Sequence, residues 1–218
     1  MSLLEFQNVF FINDGKTILK NISIGIEPGD FILISGPSGS GKSTFLRLCS
    51  HLISPTHGNI IYKSKNITVC NPVELRKSIS YCSQIPYLFG DTVIENIRFP
   101  FLIRNAKPDE DKIYELFSLF NMTTDSLNKD VKYLSGGEKQ RIALIRSLLF
   151  KPEVLLLDEI TSNLDADNGK IVENVIVSLN KEGITVLWIT HSPEQSKKYA
   201  NRLLTIEAGE IKSLEVLA

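Results

Sequence analysis

The sequence predicts an α/β protein whose mostly parallel central sheet is covered by helices on both faces. Short apolar segments alternate with amphipathic helical segments along most of the chain, and such strand–helix alternation produces parallel strands. A helix-rich stretch at about residues 85–149 interrupts the alternation. We therefore expect one domain, with a core built from residues 1–84 and 150–218 and a helical subdomain inserted between them.

The first third of the chain carries strand and turn signals. Residues 4–9 and 18–26 are rich in apolar side chains, and Asn13-Asp14-Gly15 between them is a hairpin-turn sequence. This pattern predicts an antiparallel β subdomain at the start of the chain. After a turn at Pro28-Gly29, residues 31–35 form a short apolar run that is typical of a strand buried in a central sheet.

The other elements follow from hydrophobic periodicity. Helical segments place their apolar side chains on one face, as Ile113, Leu116 and Phe120 do. Helices are predicted at residues 43–51, 109–120, 135–149, 166–179 and 193–199. Further strands are predicted at residues 58–62, 79–82, 154–157, 184–189 and 203–206.

Composition and charge exclude several classes of function. The net charge of −1, from 24 basic and 25 acidic residues, lacks the basic excess of nucleic-acid-binding or lipid-binding chains. We therefore expect no nucleic-acid partner. No apolar run approaches the roughly 18 residues that cross a bilayer, so a membrane role requires a partner. Cys49, Cys70 and Cys82 have neither disulfide nor metal-ligand spacing, which is typical of a reducing compartment.

A phosphate-binding loop follows the strand predicted at residues 31–35. Lys42 is expected to reach the β- and γ-phosphates of a nucleotide, and Ser43 to ligate Mg²⁺. Glycines in such a loop let backbone N–H groups surround phosphate oxygens beside a helix N-terminus. The alternative is a loop that matches by chance, and the flanking strand and helix disfavour it. The residues that match the G-x-x-x-x-G-K-[ST] pattern are Gly36, Pro37, Ser38, Gly39, Ser40, Gly41, Lys42 and Ser43.

Two acidic residues end another buried strand. Asp158 and Glu159 directly follow the apolar residues 154–157. Asp158 suits a carboxylate linked to Mg²⁺ beside the phosphate loop. Glu159 then faces the cleft, where it polarises the attacking water as a general base. A strand that ends in Asp-Glu is otherwise a common start of a solvated loop, and the phosphate loop favours the functional interpretation.

The predicted topology brings two more polar residues to the same place. The carboxyl ends of parallel strands lie at one edge of a sheet. His191 ends one predicted strand and Gln84 lies just beyond another. We therefore expect both near Lys42 and Glu159, although a single histidine at a strand end is otherwise a surface or capping residue.

A glycine-containing helix start lies at residues 134–140. Ser135 is a suitable N-cap and Glu138 stands three residues later, which is a capping box. A capped helix with no further role is the alternative. However, Gly136 and Gly137 each cost about 1 kcal/mol in a helix relative to alanine. This cost indicates that an anion approaches the backbone closely at the helix N-terminus.

Residues 134–138 with Gln140 resemble the signature of the ABC ATPases, and the other motifs follow in that family's order over nearly the whole chain. The resemblance implies the P-loop ABC ATPase fold, ATP hydrolysis, and ATP and Mg²⁺ as ligands. The catalytic residues it implies are Lys42, Gln84, Glu159 and His191. The Mg²⁺ ligands it implies are Ser43, Gln84 and Asp158. The ATP-binding residues it implies are Phe11, which stacks on adenine, the loop from Gly36 to Ser43, Thr44, Ser135, Gly136, Gly137 and Asp165.

The chain departs from the family pattern at two positions. Phe11 stands where tyrosine is commoner, and aromatic stacking does not need the hydroxyl. Asn163 replaces the usual alanine of the motif at residues 162–165, which concerns communication across a dimer. Asp165 is retained, so we expect hydrolysis to persist.

The resemblance also implies an assembly. Two subunits pack head to tail as a homodimer, so that Ser135, Gly136 and Gly137 contact the γ-phosphate of the ATP held by the other subunit. A separate transmembrane permease docks on residues 85–97, which holds this subunit at the cytoplasmic face of the inner membrane as a peripheral protein. We expect Tyr87, Leu88 and Phe89 partly at that interface; the alternative is that most of this segment packs inside the helical subdomain.

Within the family, several stretches are similar to ATP-binding subunits of a bacterial iron-export type. They are residues 81–84, 88–93, 98–100, 103–105, 155–162 and 186–191. Export of iron is therefore expected by analogy, with export of another substrate as the alternative. An ABC ATPase of DNA repair or translation is a further alternative, but the chain lacks a long heptad run and a second cassette. A small-molecule kinase leaves the glycine-containing signature unexplained.

Overall fold

The computed structural model describes residues 2–190 and 198–217, whose strands form two sheets. The strands are Leu4–Asn13 (β1), Lys16–Ile26 (β2), Phe31–Ser35 (β3), His57–Tyr62 (β4), Lys65–Asn66 (β5), Ile79–Cys82 (β6), Val154–Asp158 (β7), Thr185–Ile189 (β8), Arg202–Glu207 (β9) and Glu210–Val216 (β10). The helices are Lys42–Cys49 (α1), Pro72–Ser78 (α2), Val93–Leu102 (α3), Glu110–Leu119 (α4), Gly136–Leu148 (α5) and Ala166–Lys181 (α6). Short 3₁₀ turns lie at Ile67–Val69, Thr124–Asn128 and Val131–Tyr133.

The smaller sheet is antiparallel and has the strand order β2-β1-β4-β5. β1 and β2 are joined by a tight turn in which Asp14 and Gly15 have positive φ angles of 48° and 74°. Asp and Gly tolerate this left-handed conformation, which is why the turn signal could be recognised in the sequence. The predicted antiparallel β subdomain is therefore present.

The larger sheet has the strand order β10-β9-β3-β8-β7-β6, in which only β10 runs antiparallel to its neighbour. Every residue of β7 and β8 is buried, because both faces of a parallel sheet are covered. On one face Trp188 stacks on Phe31, with ring centroids 6.3 Å apart. On the other face Phe45 packs on Phe6 of β1. The predicted fold class, a mostly parallel sheet in an α/β protein, is confirmed.

Helices replace strands between β6 and β7. α3 starts with a capping box, in which the backbone N–H of Thr92 donates to Glu95 Oε2 at 2.8 Å. α5 lies against α3, α4 and β6, and its residues Ile142 and Ile145 join the core beneath the large sheet. Throughout residues 2–190 and 198–217, every helix is too short or too polar to cross a membrane.

Some elements differ from the sequence-based assignment. α2, β5 and β10 were not predicted, because each is short or exposed and lacks a clear apolar face. For α2 a start signal does exist, since Asn71 is the N-cap and Pro72 the first helical residue. The helix predicted at residues 193–199 lies largely outside the described residues, and residues 198–199 form a turn.

A buried ion pair holds the starts of β3 and β9 together. Arg202 Nη1 lies 2.6 Å from Asp30 Oδ2, and the side chains are only 16% and 8% exposed. Asp30 Oδ2 also accepts the backbone N–H of Glu27 at 2.8 Å, while Arg202 Nη1 donates to the carbonyl oxygen of Gly25 at 2.9 Å. The pair therefore connects the turn before β3 to the next strand of the sheet.

We expect Asp30→Ala to lower the free energy of unfolding by about 3–5 kcal/mol, because it leaves the buried Arg202 guanidinium without its carboxylate. Urea denaturation measures this change through the transition midpoint. Glu210→Ala is the matched control, since it removes an equally short ion pair with Lys20 that is exposed; this variant should unfold close to the wild type. Equal shifts for the two variants would contradict the structural role of the buried pair.

Candidate nucleotide-binding site

The loop at residues 36–43 connects β3 to α1, and two of its glycines are sterically required. Gly36 has a φ angle of 135°, and a Cβ there would lie 1.9 Å from the carbonyl oxygen of Ile206. Gly41 has a φ angle of 104°, and a Cβ there would lie 2.6 Å from Leu19 Cδ2. Only glycine therefore fits at these two positions. The backbone N–H groups of the loop lie close to the N-terminus of α1.

Lys42 is held against the loop. Its Nζ donates to the carbonyl oxygens of Gly36 and Pro37, each at 2.8 Å. The ammonium group is thus positioned over the loop by neutral acceptors, which an anionic phosphate oxygen can replace with a stronger, charge-assisted hydrogen bond. Within this loop, Pro37, Ser38 and Gly39 are exposed.

The carboxylate of Asp158, at the end of β7, is fixed from two sides. Ser43 Oγ donates to Asp158 Oδ1 at 3.0 Å, and the Tyr81 hydroxyl donates to Asp158 Oδ2 at 2.8 Å. Asp158 is only 4% exposed, so these contacts fix its orientation beside the loop. Burial raises the pKa of Tyr81 to about 12, and the hydroxyl therefore remains a donor at neutral pH.

The oxygen atoms beside the loop fit a magnesium ion that is shared with a nucleotide. No group of three or more His, Cys, Asp or Glu side chains among residues 2–190 and 198–217 could hold a metal ion. Mg²⁺ bound to a nucleotide needs only a few protein oxygens, because phosphates and water complete its octahedron. Ser43 Oγ and Asp158 Oδ1 are two hard oxygen atoms at the appropriate place.

Glu159 and Gln84 meet at the same edge of the sheet. Gln84 Nε2 donates to Glu159 Oε2 at 2.5 Å, as the shared carboxyl edge of the parallel strands predicts. Glu159 has a φ angle of 51°, a left-handed conformation that is uncommon for glutamate and is concentrated at functional sites. Its backbone N–H donates to the carbonyl oxygen of Ile189 at 3.0 Å. His191 lies outside the described residues.

Phe11 lies near the phosphate loop, because its partner residue on β2 contacts that loop. The register of the small sheet pairs Phe11 with Leu19, and Leu19 is the side chain that lies against Gly41. Phe11 is half-buried against the core. An aromatic ring is therefore available near the phosphate loop, as adenine stacking requires, while its assigned role stays a prediction.

The signature residues form an open helix start at α5. The backbone N–H of Ser135 donates to Glu138 Oε2 at 2.8 Å, and the N–H of Glu138 donates to Ser135 Oγ at 3.2 Å. Among residues 2–190 and 198–217, apart from its own helix backbone and its two chain neighbours, no heavy atom lies within 4 Å of a Cβ built on Gly136. A Cβ on Gly137 would lie 3.1 Å from Leu164 Cδ2. The capping box is therefore present, and the backbone at Gly136 is accessible to a ligand.

A side-chain link connects the signature helix to the start of α6. Asp165 caps α6 by accepting the backbone N–H of Asn168 at 2.9 Å and its side-chain amide at 2.6 Å. Arg141 of α5 donates to the oxygen of the same Asn168 amide. Hydrogen bonds from Asn168 lower the pKa of Asp165, which therefore stays ionised. Asn163, just before this cap, is exposed.

Sequence reasoning did not identify Tyr81 or the link between Arg141 and Asn168. Tyr81 stands three residues before Gln84, on the strand beside β7, and its register partner there is Leu156. A tyrosine hydroxyl inside a short strand next to the acidic strand is the signal that points to it. Arg141 and Asn168 are separated by 27 residues, and no local pattern relates them.

Comparisons with known proteins find a matching family and similar chains. The profile of the family described as ABC transporter matches residues 19–162. The chain is 43% identical over 213 residues to the probable iron export ATP-binding protein FetA of Escherichia coli strain K12, which covers 96% of this chain and 94% of that protein. It is 38% identical over 207 residues to the lipoprotein-releasing system ATP-binding protein LolD of Buchnera aphidicola, with 91% and 90% covered.

A solved structure has the same fold over its full length. The dimeric ATP-binding cassette MJ0796, in a post-hydrolysis state bound to ADP and Pi, has a TM-score of 0.88 to this chain. The sequence identity is 28%, and 99% of each chain is covered.

We expect Tyr81→Phe to raise the Mg²⁺ concentration needed for tight ATP binding by about tenfold, because a hydrogen bond to a charged group contributes about 1.5–3 kcal/mol. The measurement is a Mg²⁺ titration of ATP binding by calorimetry, with the fluorescence of the single tryptophan, Trp188, as a second readout.

Tyr62→Phe is the matched control for this titration. Its hydroxyl donates to Glu153 Oε2 at 3.1 Å, on the opposite end of β7, so its removal should leave the Mg²⁺ dependence unchanged. The assignment of Tyr81 is wrong if its variant titrates like the control.

Proposed function

The chain belongs to the ABC transporter family and is an ATP-binding, ATP-hydrolysing subunit, and we propose that it works as one half of a homodimer that drives a separate transmembrane permease. The observation that carries the proposal is the arrangement at the end of β7. There Asp158 accepts a hydrogen bond from Ser43 of the phosphate loop, while Glu159, the next residue, accepts one from Gln84.

Each residue of the site has a separate role in ATP hydrolysis. Lys42 exchanges its two carbonyl acceptors for the β- and γ-phosphates, and the loop N–H groups surround the phosphate oxygens. Glu159 polarises the attacking water as a general base, and Gln84 and His191 orient it. Ser43, Asp158 and Gln84 are the residues proposed to hold Mg²⁺, which when bound would neutralise charge on the phosphate oxygens.

The signature residues act on the second subunit. Ser135, Gly136 and Gly137 contact the γ-phosphate of the ATP that the other subunit holds. The open surface at Gly136 supports this role, since a phosphate can reach the N–H groups of the helix start directly. The dimer of the related cassette MJ0796 bound to ADP and Pi supports the two-chain arrangement. Closing on ATP and opening after hydrolysis then moves the permease.

An apolar groove supports docking of the permease. A cavity of about 490 Å³ lies along α3, and Phe89, Phe99 and Leu102 are among its lining residues. Tyr87 is 73% exposed, whereas Leu88 packs partly against the core. We therefore propose that Tyr87 and Phe89 meet the permease, that Leu88 mainly packs inside, and that residues 85–149 form the helical unit that transmits the movement.

Iron is the proposed cargo, and export the proposed direction. The 43% identity to the probable iron export protein FetA supports this assignment, although LolD at 38% identity belongs to a lipoprotein-releasing system. The subunit then lies at the cytoplasmic face of the inner membrane as a peripheral protein. Inverted membrane vesicles that contain this chain and its permease should accumulate radioactive iron when ATP is added. Vesicles that accumulate no iron, while ATP is still hydrolysed, would contradict the cargo.

We expect Glu159→Gln to lower ATP turnover by about 100-fold or more, because a positioned general base contributes about 10²–10⁴-fold. ATP binding should persist, since Lys42 and the loop are unchanged. Steady-state phosphate release and ATP calorimetry measure the two quantities separately. Glu182→Gln, at an exposed glutamate after α6, is the control and should turn over ATP normally. Normal turnover by Glu159→Gln would exclude this residue as the base.

We expect Leu102→Glu to weaken the association with the permease by roughly tenfold or more, which corresponds to about 1.4 kcal/mol, because it places a charge in the apolar groove. Leu102 is 72% exposed, so the fold should tolerate the change. The measurement is co-sedimentation with proteoliposomes that contain the permease. Leu119→Glu, at a half-exposed leucine of α4 outside the groove, should bind like the wild type. Equal binding of both variants would exclude the groove as the docking site.

A further inference from the structure

Four basic side chains line a second, smaller cavity beside the apolar groove. The cavity has a volume of about 170 Å³ and lies between α2, the end of α3 and the end of α5. Its basic lining residues are Arg76, Lys77, Arg104 and Arg146, and none of the acidic residues within 2–190 and 198–217 lines it.

The three arginines of this cavity lack a carboxylate partner within residues 2–190 and 198–217. Arg76 Nη1 donates to the carbonyl oxygen of His51 at 3.0 Å, and Arg104 Nη1 to that of Pro100 at 3.3 Å. Both acceptors are neutral, so they satisfy hydrogen bonds without balancing the charge.

Arg146 and Arg104 also contact neutral groups. Arg146 Nη2 donates to the carbonyl oxygen of Tyr87 at 2.9 Å, and its guanidinium lies 5.1 Å from the centre of the Phe89 ring. The Arg104 guanidinium lies 4.3 Å from the centre of the Phe150 ring. Burial lowers the pKa of both arginines, which reflects the cost of removing their charge from water.

Glu74 forms no salt bridge with the three arginines. Glu74 lies on α2 and pairs with Lys77 at 2.7 Å, while its charge acts on Arg104 only at longer range. Arg104 and Arg146 are partly buried, whereas Arg76 is exposed at the rim. Partly buried cations without a carboxylate are unfavourable, and a carboxylate that enters between these side chains forms charge-assisted hydrogen bonds. The cavity is therefore complementary to an anionic group.

The cavity adjoins the proposed docking groove. Phe99 lines both cavities, and the Arg146 guanidinium of the smaller cavity lies 5.1 Å from the centre of the Phe89 ring, which lines the groove. Ile103, which lines the smaller cavity, is 48% exposed. The two cavities together favour a partner segment that has apolar side chains next to an acidic one.

We propose that the cavity lined by Arg76, Arg104 and Arg146 receives an aspartate or glutamate side chain from the cytoplasmic docking segment of the permease. This inference rests on the proposed function, since it requires a permease in the adjoining groove. The apolar contacts bury nonpolar surface of the permease segment, and the carboxylate fixes the register and orientation of that segment.

The test is the association of the chain with permease-containing proteoliposomes. The double variant R76E/R104E should bind at least about tenfold more weakly than the wild type, whereas R76K/R104K retains the charge and should lose less. Arg146 is left intact because it also holds Asn96 and Tyr87 in place. Lys212→Glu on β10 is the control for a general change of charge, and thermal unfolding confirms that each variant is folded.

A charge exchange completes the test. Acidic residues of the cytoplasmic segments of the permease are replaced by lysine one at a time, and one of these replacements should restore binding of R76E/R104E. Wild-type binding by R76E/R104E, or the absence of any restoring replacement, would overturn the inference. If Leu102→Glu still disrupts binding in that case, docking in the groove stands and only the carboxylate is excluded. If Leu102→Glu also binds normally, the docking function itself fails.

Discussion

The constraint on which the site depends is the common carboxyl edge of the parallel strands β3, β6, β7 and β8. β3, β7 and β8 are almost entirely buried, so most polar side chains of the site stand where the strands end. The phosphate loop leaves β3, Gln84 follows β6 closely, and Asp158 and Glu159 stand at the end of β7. The hydrogen bonds from Ser43 to Asp158 and from Gln84 to Glu159 are the direct result of this convergence.

The signature at Ser135–Gly137 does not belong to this edge. It starts α5, a helix that packs against α3 and α4, and Gly136 at this start is exposed. The link through Arg141, Asn168 and Asp165 connects this helix start to the residues that follow β7. In the proposed mechanism one chain therefore contributes to two active sites, and the state of one site can influence the other through this link.

Much of the site could be predicted from the sequence, because its main motifs are local. The loop glycines are fixed by the positive φ angles at Gly36 and Gly41, and Asp158 and Glu159 directly follow an apolar run. Tyr81 could not be predicted, since its contact with Asp158 depends on how β6 and β7 align. The cluster of Arg76, Arg104 and Arg146 joins residues from three helical regions, which only tertiary packing brings together.

The central claim is that each active site needs two chains, and a mixed dimer tests it most directly. A Lys42→Ala subunit is combined with a Ser135→Arg subunit, both carrying Glu159→Gln to prevent hydrolysis, and bound ATP is counted by native mass spectrometry. If Lys42 and Ser135 act in trans, the mixed dimer has one intact site and one site with both lesions, and it should retain a single ATP. If the site forms within one chain, neither subunit has an intact site, and folded subunits that form no ATP-bound mixed dimer would contradict the account.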